Sequence, residues 1–218
     1  TAIKHVFSVA CGLDSLVLGE PQILGQLKAA YRAALDEGAT GPFLNRLMQT
    51  AFSVAKRVRT HTRIGASAVS VASAAVALAR TVFERFETHT ALLVGAGKTI
   101  ALAARHLHAN GLRRIVVANR SIERAQELAA EFGGSAISLD ALPRHLSDAD
   151  IVITSTASTA PVVTYEAVRA AIRARKRKPM FMVDIAVPRD IEARVAQLDL
   201  RRNRQLLAWR LGVSGGGE

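Results

Sequence analysis

The fold of this chain is indicated first by eleven residues in its middle, Ala91-Leu92-Leu93-Val94-Gly95-Ala96-Gly97-Lys98-Thr99-Ile100-Ala101. Its first four residues are continuously apolar, as in a strand buried on both faces, and the apolar positions after Ile100 continue with helical spacing. Gly95 permits a tight turn between the two elements, and Gly97 lacks the Cβ that would keep a pyrophosphate away from the backbone. Because free N–H groups at the start of a helix favour negative charge, residues 95–100 are predicted to bind the phosphates of a nucleotide.

The turn departs from the usual dinucleotide fingerprint at its third glycine, where Ile100 stands with the small Ala101 next to it. A lone fingerprint of this kind is weak evidence, and a purely structural turn is the alternative. The position of the turn, directly after a strand and before a helix, favours nucleotide binding.

Downstream of Thr90, short apolar runs alternate with helical patterns, which predicts a parallel sheet with helices on both faces. The default arrangement is a right-handed, doubly wound α/β fold of the Rossmann type. The predicted strands are Ala91–Val94, Ile115–Ala118, Ala136–Leu139, Ile151–Thr154 and Met180–Val183, and the predicted helices are Lys98–Asn110, Ser121–Phe132, Asp140–Leu146 and Tyr165–Lys178.

The earlier part of the chain has helical periodicity instead. Pro21 suits the first turn of a helix that runs to Glu37, and a second helix follows Gly41-Pro42. A third helix, which Ser67 can cap, is predicted to end near Phe86. The predicted domains are a helical region at 1–62, a connecting helix at 63–88, a nucleotide-binding domain at 89–200 and a basic tail at 201–218, to which we assign no fold.

Composition narrows the class of protein. Half of the 218 residues are hydrophobic, which excludes a disordered chain, and only 5% are aromatic, which argues against a nucleic-acid reader built on stacked bases. The net charge of +11 favours polyanionic partners. The single cysteine, Cys11, excludes an intramolecular disulfide and a multi-cysteine metal site, so we expect a cytoplasmic protein without a metal. The most apolar stretch, Ala66–Ala79, is too short and too rich in alanine and serine to span a membrane.

The end of the second predicted strand indicates which dinucleotide would bind. Asn119 lies 24 residues after Gly95, where an NAD-specific site carries a carboxylate for the ribose 2′-hydroxyl. Arg120 can instead lie on a 2′-phosphate, and Ser121 can donate a hydrogen bond to it. NADP is therefore expected, and an ordinary solvated arginine is the alternative.

Two other strand ends are predicted to face the same crevice, because the carboxyl ends of parallel strands meet at one edge of a sheet. They are Thr154-Ser155-Thr156-Ala157 and Asp184–Arg189. Small hydroxyl residues there suit the nicotinamide ribose, and capping of local backbone groups is the alternative.

Polar residues also cluster among the glycines of the segment His5–Gln26, HVFSVACGLDSLVLGEPQILGQ. Gln22 and Gln26 are four residues apart, so both can point from one helix face at one ligand. Asp14, Ser15 and Glu20 stand nearby among apolar residues. The residues alone leave open whether this cluster is a substrate pocket or a buried structural network.

The sequence contains the runs GLDSLVLGEPQILGQ, SVAKRVRTHTRIGASAVSVA, LLVGAGKTI, ANRSIERAQELA, STAS and VDIAVPRD, which together resemble the glutamyl-tRNA reductase family. The resemblance covers residues 1 to about 200. In that family a cysteine thiolate attacks the ester of glutamyl-tRNA, and NADPH reduces the resulting thioester to glutamate-1-semialdehyde, an early step of tetrapyrrole (porphyrin) synthesis. The resemblance therefore implies an oxidoreductase with NADPH as cofactor and glutamyl-tRNA as substrate.

The resemblance also implies roles for individual residues. His5 matches the active-site histidine of the family, and Gly95–Ile100 match its NADP turn. The residues that match its substrate-binding positions are Ser15, Glu20, Pro21, Gln22 and Gln26. The helical region at 1–62 then corresponds to a remnant of the catalytic domain. The basic run Arg173–Lys178 is predicted to be a solvated helix end, with contact to tRNA phosphates as the alternative.

The chain departs from the family in ways that bear on activity. The nucleophilic cysteine of the family lies upstream of the His5 region, and Cys11 does not occupy its position. The chain begins at Thr1, and its residues after 200 do not resemble the long helix and dimerisation domain of the family. We therefore expect a fragment, inactive alone, of a homodimeric enzyme for which the next enzyme of the pathway is a further candidate partner. A shikimate-dehydrogenase-like NADP oxidoreductase and a non-catalytic NADP- or tRNA-binding module are the alternatives.

Overall fold

The computed structural model describes residues 2–14, 19–62, 64, 71–176, 178–200 and 206–210. The chain folds into two compact units, and the boundary between them lies between Val71 and Ala72. The first unit is helical, and the second holds a sheet with helices.

Within the described ranges, the first unit consists of the helices α1 (Ala2–Ala10), α2 (Pro21–Asp36) and α3 (Pro42–His61). Pro21 and Pro42 stand in the first turn of their helices, where a missing N–H costs no hydrogen bond. A small core joins the helices through side chains that allow close approach, namely Ala10, Cys11, Ala51 and Ala55.

The helices α2 and α3 lie where their sequence patterns predicted them, whereas α1 was not predicted. α2 ends one residue before the predicted Glu37, and Gly38 then takes the left-handed φ of +65° that closes a helix, with its N–H on the carbonyl of Leu35 at 2.9 Å. α1 has nine residues, and its part from His5 onward had been assigned to the polar cluster His5–Gln26 without a helix. The predicted cap Ser67 lies outside the described residues.

Within the described ranges, the second unit holds a six-stranded parallel sheet in the order β3-β2-β1-β4-β5-β6. Its strands are β1 (Thr90–Val94), β2 (Arg114–Asn119), β3 (Ser135–Ser138), β4 (Ile151–Thr154), β5 (Met180–Asp184) and β6 (Leu206–Arg210). Its helices are α4 (Val71–Val82), α5 (Lys98–Ala109), α6 (Ile122–Ala130), α7 (Leu142–His145), α8 (Tyr165–Ala174) and α9 (Ala196–Leu200). The strand order reverses between β1 and β4, which is the switch point where doubly wound sheets bind ligands.

Both faces of the central strands are buried, so alternate residues of β1 enter different cores. Ala91 and Leu93 pack with the apolar faces of α4 and α5, whereas Leu92 and Val94 pack with residues of α7 and α8. A strand with two buried faces must be apolar at every position, which is why the run was recognisable in the sequence. The predicted α/β fold of the Rossmann type is confirmed.

Several predicted boundaries need correction. The third helix, α4, ends at Val82 and not near Phe86. Residues 201–218 were assigned no fold, but β6 extends the sheet in parallel register beside β5, from Met180 opposite Leu206 to Asp184 opposite Arg210. The short apolar run Leu206-Leu207-Ala208-Trp209 was not recognised as a strand because arginines stand on both sides of it. The helix predicted to reach Lys178 ends at Ala174, because Lys176 adopts a φ of +48° that a helix does not allow.

A buried arginine ties together the amino ends of β1, β4 and β5. Arg175, which is 5% exposed, donates to Asp150 Oδ1 at 2.6 Å, and the other oxygen of Asp150 accepts from the N–H of Thr90 at 3.0 Å. Further guanidinium hydrogen bonds go to the backbone carbonyls of Ser147, Ala149 and Pro179. The basic run Arg173–Lys178 is therefore not a uniformly solvated helix end, since its central arginine stabilises the sheet.

Candidate functional site

Gly95 is the tightest point of the turn between β1 and α5. Its φ is +110°, and a Cβ built there would lie 2.4 Å from the carbonyl oxygen of Ser155. Its N–H donates to the carbonyl of Ala118 at 2.7 Å. The turn therefore requires glycine, because any other side chain would be strained and would collide with backbone.

Gly97 is the N-cap residue of α5 and faces open space. No described atom lies within 4 Å of a Cβ built on it, and glycine offers no side chain to cap the first N–H groups of the helix. These N–H groups and the helix dipole can hold an anion at this point. The turn thus has the open approach that a pyrophosphate needs.

A cleft of about 420 Å³ opens in front of the turn, at the carboxyl edge of the sheet. Its walls include Gly95–Gly97, Asn119–Ser121 and Ser155–Ser158, so the ends of β1, β2 and β4 meet there as predicted. The remaining lining residues are Arg124, Leu139 and Val162. Of the described residues predicted to face this crevice, Thr154 and those at 184–189 do not line it.

Three residues of the predicted turn stand away from the cleft wall. Lys98 is exposed and Thr99 is half-buried in the first turn of α5, and neither lines the cleft. Ile100 is fully buried and packs in the core beneath the turn. The side chain of Ile100 therefore does not reach the cleft and packs where the usual fingerprint has its third glycine, so the cofactor contact expected at this position stays a prediction for its backbone.

The wall formed by the end of β2 carries two cations. Ser121 caps α6: its Oγ accepts from the N–H of Arg124 at 3.4 Å and donates to Glu123 Oε2 at 2.7 Å, which lowers the pKa of the Glu123 carboxyl. Asn119 Nδ2 donates to the carbonyl of Ser121 at 3.0 Å. The cations are the exposed side chains of Arg120, which was predicted as a site residue, and Arg124, which was not.

A buried carboxylate holds the loop that follows β4. Asp190 is fully buried and accepts from the N–H of Thr156 at 2.7 Å and from its hydroxyl at 2.5 Å. Burial raises the pKa of Asp190 against the lowering effect of these hydrogen bonds, and the charge of Asp184 raises it further. The role of Asp190 was not predicted, because its partner lies 34 residues away and Asp190 stands beside other charged residues, Arg189 and Glu192, that do not mark it out.

His5, the predicted active-site histidine, lies beside Asp14 in the helical unit. His5 Nδ1 and Asp14 Oδ2 are 3.1 Å apart, and the two side chains are 67% and 55% exposed. The shallow hollow beside them, of about 300 Å³, is also lined by Lys4, Ser8 and Leu13. Glu20, Gln22 and Gln26 are described residues that do not line this hollow.

The residues predicted to bind substrate are grouped at the start of α2. Glu20 is 8% exposed, and burial raises the pKa of its carboxyl. Pro21 begins the helix, Gln22 is half-buried and Gln26 is exposed one turn later. Ser15 lies outside the described residues. The described part of the group therefore shares one helix start, with a buried carboxyl at its head.

Comparison with known proteins assigns both units. Residues 77–206 match the family model described as shikimate / quinate 5-dehydrogenase, and residues 1–62 match that of the N-terminal domain of glutamyl-tRNAGlu reductase. A protein of Stutzerimonas stutzeri named glutamyl-tRNA reductase is 60% identical over 198 residues, which is 91% of this chain. The chain belongs to the glutamyl-tRNA reductase family. The recognition of this family from six sequence runs is thereby confirmed.

Other members of the glutamyl-tRNA reductase family agree. The reductase of Ectopseudomonas mendocina is 58% identical over 91% of this chain, and the solved structure of that from Methanopyrus kandleri superposes with a TM-score of 0.59 at 39% identity over 96% of this chain and 52% of that one. This chain spans about half the length of the relatives it matches, 47% and 46% for the two bacterial proteins. The shikimate-dehydrogenase-like alternative is not favoured, because the N-terminal match is to a reductase domain.

In this member of the glutamyl-tRNA reductase family, Cys11 lies in an environment that suppresses thiolate formation. The residue is 4% exposed and packs in the small helical core. Burial raises the pKa of its thiol, and a neutral thiol is a poor nucleophile. Cys11 therefore serves packing.

Neither a metal centre nor a membrane span stands out in the described part of the chain. Across the described ranges, no three His, Cys, Asp or Glu side chains are grouped so that they could hold a metal ion. The helices of those ranges include none with both the length and the apolar character that crossing a bilayer requires.

Proposed function

We propose that the chain serves the NADPH-dependent reduction of glutamyl-tRNA to glutamate-1-semialdehyde in tetrapyrrole synthesis. The observation that carries the proposal is an open cleft with two arginines in its wall, in the same chain as a unit that matches the reductase N-terminal domain. The substrate enters the proposal because the relatives are named for it. A cytoplasmic location, a homodimeric state and contact with the next enzyme of the pathway belong to it on the resemblance alone.

The cleft suits NADPH in shape and charge. NADPH, when bound, supplies the hydride for the reduction. The open space at Gly97 and the first N–H groups of α5 would hold the pyrophosphate. Arg120 and Arg124 would contact the 2′-phosphate that NADH lacks. Ser121 contributes less than the sequence suggested, because its hydroxyl already donates to Glu123.

The helical unit supplies candidates for binding the glutamyl group. Asp14 can accept from His5 Nδ1–H, which would orient the ring so that Nε2 faces the reacting carbonyl. The buried carboxyl of Glu20 would gain a partner in the ammonium of the substrate, which favours its charged form. Gln22 and Gln26 have amides that can donate to the substrate carboxylate. The proposed set also keeps, from the resemblance, Ser15 and Pro21.

The attack on the ester requires a thiolate that Cys11 does not provide. Cys11 is the single cysteine of the sequence and is buried with a raised thiol pKa. We therefore assign the attack to a cysteine outside these 218 residues. The chain by itself should bind NADPH and leave glutamyl-tRNA unchanged.

A preformed thioester tests the reductase function without that cysteine. The 1-thioester of glutamate with N-acetylcysteamine should be reduced in the presence of the chain, releasing aldehyde, free thiol and NADP⁺ in equal amounts. Loss of the NADPH absorbance and aldehyde trapping measure the reaction. Gly97→Ala is the matched control, because its added Cβ would occupy the pyrophosphate space and stop the reaction without a collision in the protein. NADPH binding with no consumption would contradict the reductase and favour a non-catalytic binding module.

A further inference from the structure

A basic groove lies between α2 and α3 in the helical unit. It encloses about 610 Å³, and its cations are Lys28 of α2 with Lys56 and Arg59 of α3. The described residues that line it include no acid; besides the cations they are apolar or carry amide and hydroxyl groups. The groove is thus a positively charged channel whose neutral polar groups can also donate hydrogen bonds to an anion.

The positive charge of this face is not compensated. The sequence has no Asp or Glu between Glu37 and Glu84, so every position of α3 lies in a stretch free of acids. Among the described residues, none of the three groove cations forms an ion pair. In a chain of net charge +11, such a face attracts polyanions.

The three cations of the groove are spaced to contact a polymer with regularly spaced negative charges. Lys56 and Arg59 are three residues apart, so they share a face of α3 at a Cβ separation of about 5–6 Å. On the other helix, Lys28 Nζ lies 5.7 Å from the ring centroid of Phe52, which gives the ammonium a defined place above the groove floor. Charges on both walls suit a phosphate backbone that passes between them.

The basic run Arg173–Lys178, the other candidate for contact with RNA, is less suited to it than the groove. In Arg173–Lys178, Arg175 is already bound to Asp150 and to four backbone carbonyls. The groove, by contrast, lies in the unit that matches the reductase N-terminal domain. Of these two basic regions, the groove is therefore the one in which no cation is already held by an ion pair among the described residues.

We propose that the groove between α2 and α3 binds the phosphate backbone of the RNA part of glutamyl-tRNA, with Lys28, Lys56 and Arg59 as its phosphate contacts. The inference rests on the proposed function, which supplies the RNA, and adds the surface of this chain that holds it.

Binding of uncharged glutamate-specific tRNA to the 218-residue chain, followed by fluorescence anisotropy over a series of KCl concentrations, tests the groove. The triple variant Lys28→Gln, Lys56→Gln, Arg59→Gln should bind roughly 10- to 100-fold more weakly, and the slope of log K against log salt should fall by about 2 to 3, because each lost phosphate contact removes about 0.7 to 0.9. A charge-conserving triple variant, Lys28→Arg, Lys56→Arg and Arg59→Lys, should keep the parent's slope of log K against log salt.

A matched control removes the same charge from the same two helices outside the groove. Arg32→Gln, Arg46→Gln and Arg57→Gln alter exposed side chains that do not line it, so affinity should stay within about threefold of the parent. Equal losses in the triple variant and this control would overturn the proposal, since net charge alone would then explain binding. An unchanged tRNA affinity in a triple variant with the melting temperature of the parent would also overturn it.

Two further readouts separate this inference from the proposed function and from another polyanion. If the parent chain binds polyglutamate but not tRNA, and the triple variant loses that binding, the groove belongs to an acidic protein partner and the proposal is wrong. Reduction of the glutamate thioester uses no RNA and should be equal in parent and triple variant. Absence of that reduction in the parent would count against the reductase function, whereas the role of the groove would still be decided by tRNA binding.

Discussion

The cleft at the carboxyl edge of the sheet and the hollow beside His5 assemble polar groups in different ways. In the cleft, backbone contacts and a buried carboxylate fix the walls: Gly95 sits against the Ser155 carbonyl, and Asp190 holds Thr156. In the hollow, His5 meets one partner across 3.1 Å, and both side chains are more than half exposed. A sheet makes its strand ends converge, whereas exposed side chains on helices acquire a fixed geometry only through further contacts. Substitutions should therefore have large effects on stability at the cleft and small effects at the hollow.

The largest effect is expected for Gly95→Ala. The φ of +110° and a Cβ only 2.4 Å from the Ser155 oxygen should reduce the free energy of unfolding by about 3 kcal/mol or more. Urea denaturation measures this. In Gly97→Ala, whose Cβ meets no described atom, stability should stay within about 0.5 kcal/mol of the parent while NADPH affinity falls at least about tenfold. Equal stabilities for the two variants would contradict the view that the fold requires glycine at position 95 whereas only the ligand requires it at position 97.

Asp190→Ala should have the next largest effect. Removing the carboxylate leaves the N–H and hydroxyl of Thr156 without their buried acceptor, which should cost about 2–3 kcal/mol of unfolding free energy. NADPH affinity should fall as well, because Thr156 belongs to the cleft wall. Thermal unfolding and calorimetric titration on one preparation test both. Thr156→Ala is the control, since it removes the hydroxyl but keeps the backbone N–H; a loss of stability as large as that of Asp190→Ala would show that the backbone bond contributes little.

The two arginines in the wall at the end of β2 should affect ligand binding without affecting stability. Arg120→Ala and Arg124→Ala should each weaken NADPH binding about tenfold, which corresponds to about 1.4 kcal/mol, and leave NADH binding nearly unchanged. Both side chains are exposed, so stability should not change. Calorimetric titration with each dinucleotide measures the preference. Equal affinity of the parent chain for NADPH and NADH would refute the assignment of these cations to the 2′-phosphate.

The pH dependence of the free energy of unfolding should reveal the burial of the Asp190 carboxyl. The raised pKa of Asp190 means that the folded state binds its proton more readily than the unfolded state does. Its contribution to stability is therefore complete below the unfolded pKa of about 3.8 and is lost as the pH rises through the higher folded value. Relative to Asp190→Asn, the unfolding free energy of the parent should fall over that window and then level off. A difference that stays constant with pH would contradict the burial effect.

The smallest effect is expected in the hollow. Asp14→Asn should change the free energy of unfolding by less than about 0.5 kcal/mol, because exposed ion pairs contribute little. Reduction of the glutamate thioester should nevertheless slow if Asp14 orients His5, and His5→Gln should slow it more. If Asp14→Asn destabilises the chain as much as Asp190→Ala does, the two regions do not differ in the way their exposure suggests.

The parts of the molecule that sequence predicted are those that depend on local pattern and on topology. β1, β4 and β5 were recognisable because strands buried on both faces are almost continuously apolar, and the cleft followed because the carboxyl ends of parallel strands share an edge. The role of Asp190 could not be predicted, since its partner Thr156 is 34 residues away and only the folded sheet brings them together. The capping role of Ser121 and the burial of Ile100 likewise depend on tertiary packing. Periodicity placed Gln22 and Gln26 on one helix but carried no information on how that helix stands to His5.

The buried guanidinium of Arg175 changes how an alignment of relatives should be interpreted. An arginine that never varies within a basic run would ordinarily be assigned to nucleic-acid contact. At position 175 invariance would record selection for folding, because one planar group there serves a carboxylate and the carbonyls of several segments at once. Lysine, with its donors on a single nitrogen, cannot replace it. Evolutionary constraint on this arginine would therefore reflect its structural role at the amino edge of the sheet, opposite the cleft.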